Sequence, residues 1–185
     1  MAWHKLAEFR FPRDARHSIM NKLLRIGLAA TAAVAVVAAA GLSLSSTDAA
    51  PQIDYTLLDG SQHSSAELRG KVVLVNFWAT SCTTCVKEMP QLVATHQKFK
   101  ARGLETLAVA MSYDAPAYVI NYAESRQLPF SVVIDNTGEI AKRYGKVQLT
   151  PTTFVLNKQG EIVRRYVGEP DFVQLHALLE QLLAA

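Results

Sequence analysis

Two cysteines occur in the chain, Cys82 and Cys85, separated by Thr83 and Thr84. At this spacing the pair can hold a disulfide or be reduced to two thiols, because residues three apart on a helix's first turn share a face. Their number excludes a four-thiolate zinc site within one chain. A disulfide closing so short a segment gains little loop entropy, so a purely stabilising role is a poor account of it. Redox chemistry suits such a pair: one sulfur as a nucleophilic thiolate, the other to close the ring. The segment Trp78-Ala79-Thr80-Ser81-Cys82 follows an apolar run and leads into a helical pattern, which places Cys82 at a helix start. Unpaired N–H groups and the positive end of the backbone dipole stabilise an anion there by roughly 0.3–2 kcal/mol. Cys82 is therefore expected to be the thiolate with lowered pKa, and Cys85, one turn further in, the shielded partner.

The positioning elements alternate between strand and helix patterns, the mark of an α/β domain. Residues 53–58 read as a strand with a turn at Asp59-Gly60, and Val72–Phe77 as a central strand covered on both faces. From Cys82 to about Lys100, Val86, Met89, Leu92, Val93 and Phe99 recur at helical spacing, with Pro90 expected to kink the helix. Residues 104–111 predict a second buried strand, 116–126 a helix with Val119, Tyr122 and Ala123 inward, 130–134 a strand and 139–144 a short helix. Residues 153–156 and 161–166 flank Asn157-Lys158-Gln159-Gly160 as a hairpin. Phe172, Leu175, Leu178, Leu179 and Leu182 stripe a final helix.

Pro151 precedes the hairpin. Lacking an N–H, it leaves the backbone at Thr150 free to pair with an incoming extended peptide. With VNFWA before the cysteines, KEMP after them, and Thr150-Pro151-Thr152 before a hairpin, the chain from Ile53 onward resembles the thioredoxin superfamily, in particular its membrane-anchored, periplasm-facing TlpA/ResA-like thiol–disulfide oxidoreductases. The resemblance implies a thioredoxin fold: a central mixed β-sheet flanked by helices on both faces. It also implies a cis Pro151 packed beside the cysteines, and a client-binding surface that includes Thr150, Pro151 and Trp78. The implied catalytic residues are Cys82 and Cys85, with no cofactor and no metal. Implied partners are disulfide-bearing clients, such as apocytochrome c or copper-site proteins of respiratory oxidases, and a membrane thiol transporter as electron donor.

Three positions depart from the family pattern. Thr83-Thr84 lack the proline common between the cysteines, Ser81 stands where tryptophan is usual, and Asn76 replaces the buried Asp of cytoplasmic thioredoxins, as is common in the TlpA-like branch. Of the remaining candidates, Glu88 reads as a solvated helix residue rather than a proton acceptor. His96 reads as a packed or partly exposed histidine, His63 and His176 as isolated ones, and Met89 as core. The pairs Lys142-Arg143 and Arg164-Arg165 read as solvated faces.

Charge is unevenly divided along the 185 residues. Residues 1–50 carry 6 Lys/Arg and 3 acids, and residues 51–185 carry 13 of each. A neutral globular part gives no bulk attraction to nucleic acid, so no nucleic-acid partner is expected. Residues 26–44 form 19 uncharged positions, as a helix just long enough to cross a hydrocarbon core of roughly 30 Å. Basic residues precede this stretch, which places residues 1–25 in the cytoplasm and everything beyond Leu44 outside. An uncleaved inner-membrane anchor and a signal peptide, with a start at Met20, both satisfy the pattern. Either way the compartment is the bacterial periplasm, with 45–52 as a linker and 53–185 as the thioredoxin-like domain.

The leading reading is an extracytoplasmic protein disulfide reductase. A disulfide-forming oxidant and a Cu(I)-binding or delivery module using the same thiolates are the alternatives. Peroxidase chemistry of the peroxiredoxin kind fits poorly. It needs a Pro and a Thr or Ser at set positions before the reactive cysteine, where Val75 and Ala79 stand.

Overall fold

The computed structural model describes residues 48–185. The segments 1–25 and 26–44 and the start of the 45–52 linker lie outside the described residues. The described residues form eight strands: β1 (Asp48–Ala49), β2 (Asp54–Thr56), β3 (Gln62–Ser64), β4 (Val72–Trp78), β5 (Leu104–Ala110), β6 (Ser131–Ile134), β7 (Thr152–Leu156) and β8 (Glu161–Val167). The helices are α1 (Thr83–Phe99), α2 (Pro116–Ser125), α3 (Glu139–Arg143) and α4 (Phe172–Ala184). Six strands form a mixed sheet in the order β1-β8-β7-β4-β5-β6, and β2 and β3 form a small antiparallel pair. β4, β5 and β6 are mutually parallel, whereas β7 runs antiparallel to β4 and β8 antiparallel to β7. This is the expected thioredoxin-like α/β sheet.

All seven residues of β4 are buried, as a strand with both faces covered requires. Alternation sorts its side chains. Val72, Leu74 and Trp78 join a core built with Cys85, Met89, Leu92 and Phe99 of α1, Val119 of α2, and Leu175, Leu179 and Leu183 of α4. Val73, Val75 and Phe77 join the opposite core with Ile53, Tyr55, Ile140 and Tyr144. Asn76 has the parity of the α1 face, as does Thr153, the neighbour of Val155 by alternation on β7.

Several boundaries differ from the sequence reading. The strand expected over 53–58 is only Asp54–Thr56, with Leu57 making an isolated bridge to Val133 of β6. That bridge partly covers an otherwise open sheet edge. The segment read as a linker contributes β1, whose Asp48 and Ala49 pair with Ile162 and Glu161. α1 runs through Pro90 as one element. The hairpin turns at Gly160 (φ +73°), where an added Cβ would meet the Arg69 guanidinium at 2.9 Å.

Candidate functional site

The parallel strands β4 and β5 end at Trp78 and Ala110, and the antiparallel β7 begins at the same end, Thr152 pairing with Phe77. Three loops therefore gather there: 79–82, 111–115 and 145–151. Cys82 is the N-cap residue of α1, in extended conformation (φ −89°, ψ 104°). The Cys82 amide donates to the Ala79 carbonyl at 3.2 Å, and its own carbonyl accepts from Val86 at 3.1 Å. Its Sγ sits where an N-cap oxygen usually does, accepting the Cys85 N–H at 3.1 Å. The two sulfurs are bonded at 2.16 Å, with Cα atoms 5.2 Å apart.

The pair is unequal. Cys85 is wholly buried, whereas Cys82 is partly exposed. Of the two, only Cys82, whose sulfur also receives the helix N–H and the dipole, has surface open to solvent. This is the asymmetry expected from the spacing.

The loop at 111–115 braces both neighbours. The buried Asp114 carboxylate accepts the Thr80 N–H at 2.5 Å and the Thr80 hydroxyl at 2.6 Å, and the Met111 N–H donates to the Trp78 carbonyl at 3.0 Å. The Tyr113 and Thr150 hydroxyls lie 3.1 Å apart. Thr150 is half-buried and Pro151 buried, the bond between them is cis, and the Pro151 carbonyl accepts from Gly168 at 2.8 Å. Trp78 departs from the client-facing position that the resemblance implies. It is fully buried beneath the loop, packs on Tyr122 at 5.2 Å, and presents no surface to a client. Its even parity on β4 turns it into the α1 core.

Glu88 requires the largest correction. It is not solvated but completely buried, on the face of α1 shared by Cys85, Met89 and Leu92. Its Oε1 accepts the Asn76 Nδ2–H at 3.0 Å, and the same nitrogen donates to the Thr153 hydroxyl at 2.9 Å. Burial pushes the Glu88 carboxyl up to about 7, opposed by the Asn76 bond and assisted by the negative charge of Glu169. Two features of the sequence carried this signal. Glu88 falls on the apolar stripe one turn after Cys85, and Asn76 interrupts an apolar strand on the face toward α1.

The other candidates are structural. His96 is buried, with Nδ1 3.2 Å from the Thr106 hydroxyl, and burial lowers its pKa. His176 contacts Thr95 at 2.8 Å and packs edge-on to Phe99. His63 pairs with Glu67 at 2.8 Å. Met89 is core, and Lys142, Arg143, Arg164 and Arg165 are exposed. Among the described residues no cluster of three His, Cys, Asp or Glu side chains could hold a metal ion.

Known proteins are similar to this chain in sequence and fold. The model of the Redoxin family matches residues 45–179. The thiol-disulfide oxidoreductase ResA of Bacillus anthracis is 35% identical over 133 residues, covering 72% of this chain and 76% of that protein. A crystal structure of a thiol:disulfide interchange protein of the thioredoxin family from Chlorobium tepidum superposes with a TM-score of 0.68 at 27% identity, covering 74% of this chain and 97% of that one. StoA from Bacillus subtilis does so with a TM-score of 0.60 at 25% identity, covering 69% and 96%. With this much of its length matched, and its two cysteines bonded at the head of α1, the chain belongs to the redoxin family of thioredoxin-fold proteins.

Proposed function

We propose that this chain reduces disulfide bonds of client proteins outside the cytoplasm. That it is a dithiol oxidoreductase follows from its kinship with ResA and from the Cys82–Cys85 pair. The observation that carries the reading is the unequal exposure of two bonded sulfurs at a helix N-terminus. In the reduced enzyme the Cys82 thiolate attacks one sulfur of a client disulfide; a Cys82–client bond forms and the other client sulfur leaves as a thiolate. Cys85 gives up its proton and attacks Cys82 Sγ. The mixed disulfide breaks, the second client sulfur leaves, and Cys82–Cys85 closes, having delivered two electrons.

Glu88 is our candidate for the group that takes the Cys85 proton. It lies one turn away on the same helix face, with a pKa raised to about 7. Tyr113, Tyr118, Leu149, Val167 and Val173 are all more than half exposed and belong to segments that meet at the disulfide end of the sheet. Apolar surface there suits a partly unfolded client, whose extended backbone would pair at Thr150 and Pro151.

Apocytochrome c and respiratory copper-site proteins are the clients the family resemblance favours, with a membrane thiol transporter restoring the dithiol. An extracytoplasmic site is supported by the basic-then-apolar order of residues 1–44. No helix among the described residues is long and apolar enough to cross a membrane. Cys85→Ala in the full chain should freeze clients on Cys82 as mixed disulfides, recoverable by non-reducing electrophoresis and mass spectrometry. Recovery of no adduct, or of equal adduct with Cys82→Ala, defeats the proposal.

A further inference from the structure

Asn76, Glu88 and Thr153 are all completely buried, and their hydrogen bonds leave a specific remainder. An asparagine amide has two N–H donors on one nitrogen and one acceptor oxygen. Both donors are spent, on Glu88 Oε1 and Thr153 Oγ1. Asn76 Oδ1 and Glu88 Oε2 have no partner. These two orphans belong to side chains already joined by one hydrogen bond. Acceptors left without a hydrogen in a dry interior are costly; Trp78 Nε1, the third buried polar atom without a partner among the described residues, carries a hydrogen but is bonded to neither.

We infer that Asn76 is the positioning residue for the Glu88 proton: with the carboxyl neutral, Oε2–H donates to Asn76 Oδ1 and, with the existing Nδ2–H···Oε1 bond, closes a ring of two parallel hydrogen bonds. Thr153 holds the amide by its other hydrogen, so the oxygen stays turned toward the carboxyl. Protonation satisfies both orphans together. Ionisation removes the shared hydrogen and sets a carboxylate oxygen against the amide oxygen, which favours the neutral carboxyl in the direction that burial already does.

Among the described residues no cation acts on the Glu88 carboxylate. Lys87, next to it on α1, bonds outward to Glu169 at 3.2 Å, and Glu169, in the loop before α4, adds repulsion. Cys85 is neutral in the disulfide, and Asn76 of β4 and Thr153 of β7 do not titrate. The ring thus stores a proton while the disulfide is closed. This deepens the dithiol reading and rests on it for the consequence in turnover, though not for the ring itself.

The test is a pH titration by NMR of the full oxidised chain carrying 13C at asparagine Cγ and glutamate Cδ. Asn76 Cγ and Glu88 Cδ should titrate together with one midpoint near 7. In Glu88→Gln the new amide can donate to Oδ1 as the acid does. Asn76 Cγ should then hold its low-pH position at every pH. A flat Asn76 Cγ beside a titrating Glu88 Cδ overturns the inference, as does an Asn76 Cγ locked at its high-pH position in Glu88→Gln. The parent reading fails separately. If Glu88→Gln reduces insulin with the wild-type pH profile, Glu88 does not take the Cys85 proton, whatever the state of the ring.

Discussion

Replacing Glu88 by Gln changes how stability depends on pH, with a sign set by burial. The folded-state pKa is raised from 4.5 to about 7, chiefly by desolvation of a side chain with no exposed surface. Between those values the unfolded chain has released the Glu88 proton while the folded chain retains it. Stability therefore falls as pH rises through this window and stays reduced above it. At 1.36 kcal/mol per unit the loss is about 3 kcal/mol, a large share of the 5–15 kcal/mol typical of a domain. Glutamine has the same shape and no charge, so its variant lacks this term, and every other titrating group cancels in the comparison. Urea unfolding of the oxidised full chain at pH 4, 6 and 8 measures it. The stability of Glu88→Gln minus that of wild type should rise by about 3 kcal/mol from pH 4 to pH 8. A flat difference, or one falling with pH, refutes the assignment of a buried, proton-holding carboxyl.

Other outcomes follow from the same contacts. Thr153→Val strands one Asn76 hydrogen in the core and should cost about 1–3 kcal/mol by urea unfolding, while Thr153→Ser keeps most of the stability. Asp114→Ala removes two bonds from a charged acceptor to Thr80, and a loss of about 2–3 kcal/mol is expected; an unchanged midpoint means the loop is held by other contacts. In the reduced protein, iodoacetamide should modify Cys82 with a pH midpoint below the free-thiol value near 8.5, and Cys85 far more slowly because it is buried. Faster modification of Cys85 reverses their roles.

Much of this protein can be read along the chain, because the forces concerned act within a segment. The apolar run from Val72 to Phe77 specifies a strand covered on both faces, since it is rich in β-branched valine and too short for a buried helix. Cys82 stands between that strand and a helical stripe, so the helix start and the accessible sulfur follow from local order. Turn chemistry at Asn157–Gly160 sets the hairpin. Tertiary structure alone decided who meets whom. Glu88 looks like a surface acid until α1 is laid on the even face of β4, where Asn76 waits. Asn76 in turn reaches Thr153, 77 residues away, only because β7 pairs antiparallel with β4 in that register. The same parity drew Trp78 inward, and strand order turned Asp48–Ala49 from tether into sheet edge. Period and propensity state which face a side chain takes, but the partner across that face depends on sheet order and register, which contacts distant in sequence determine.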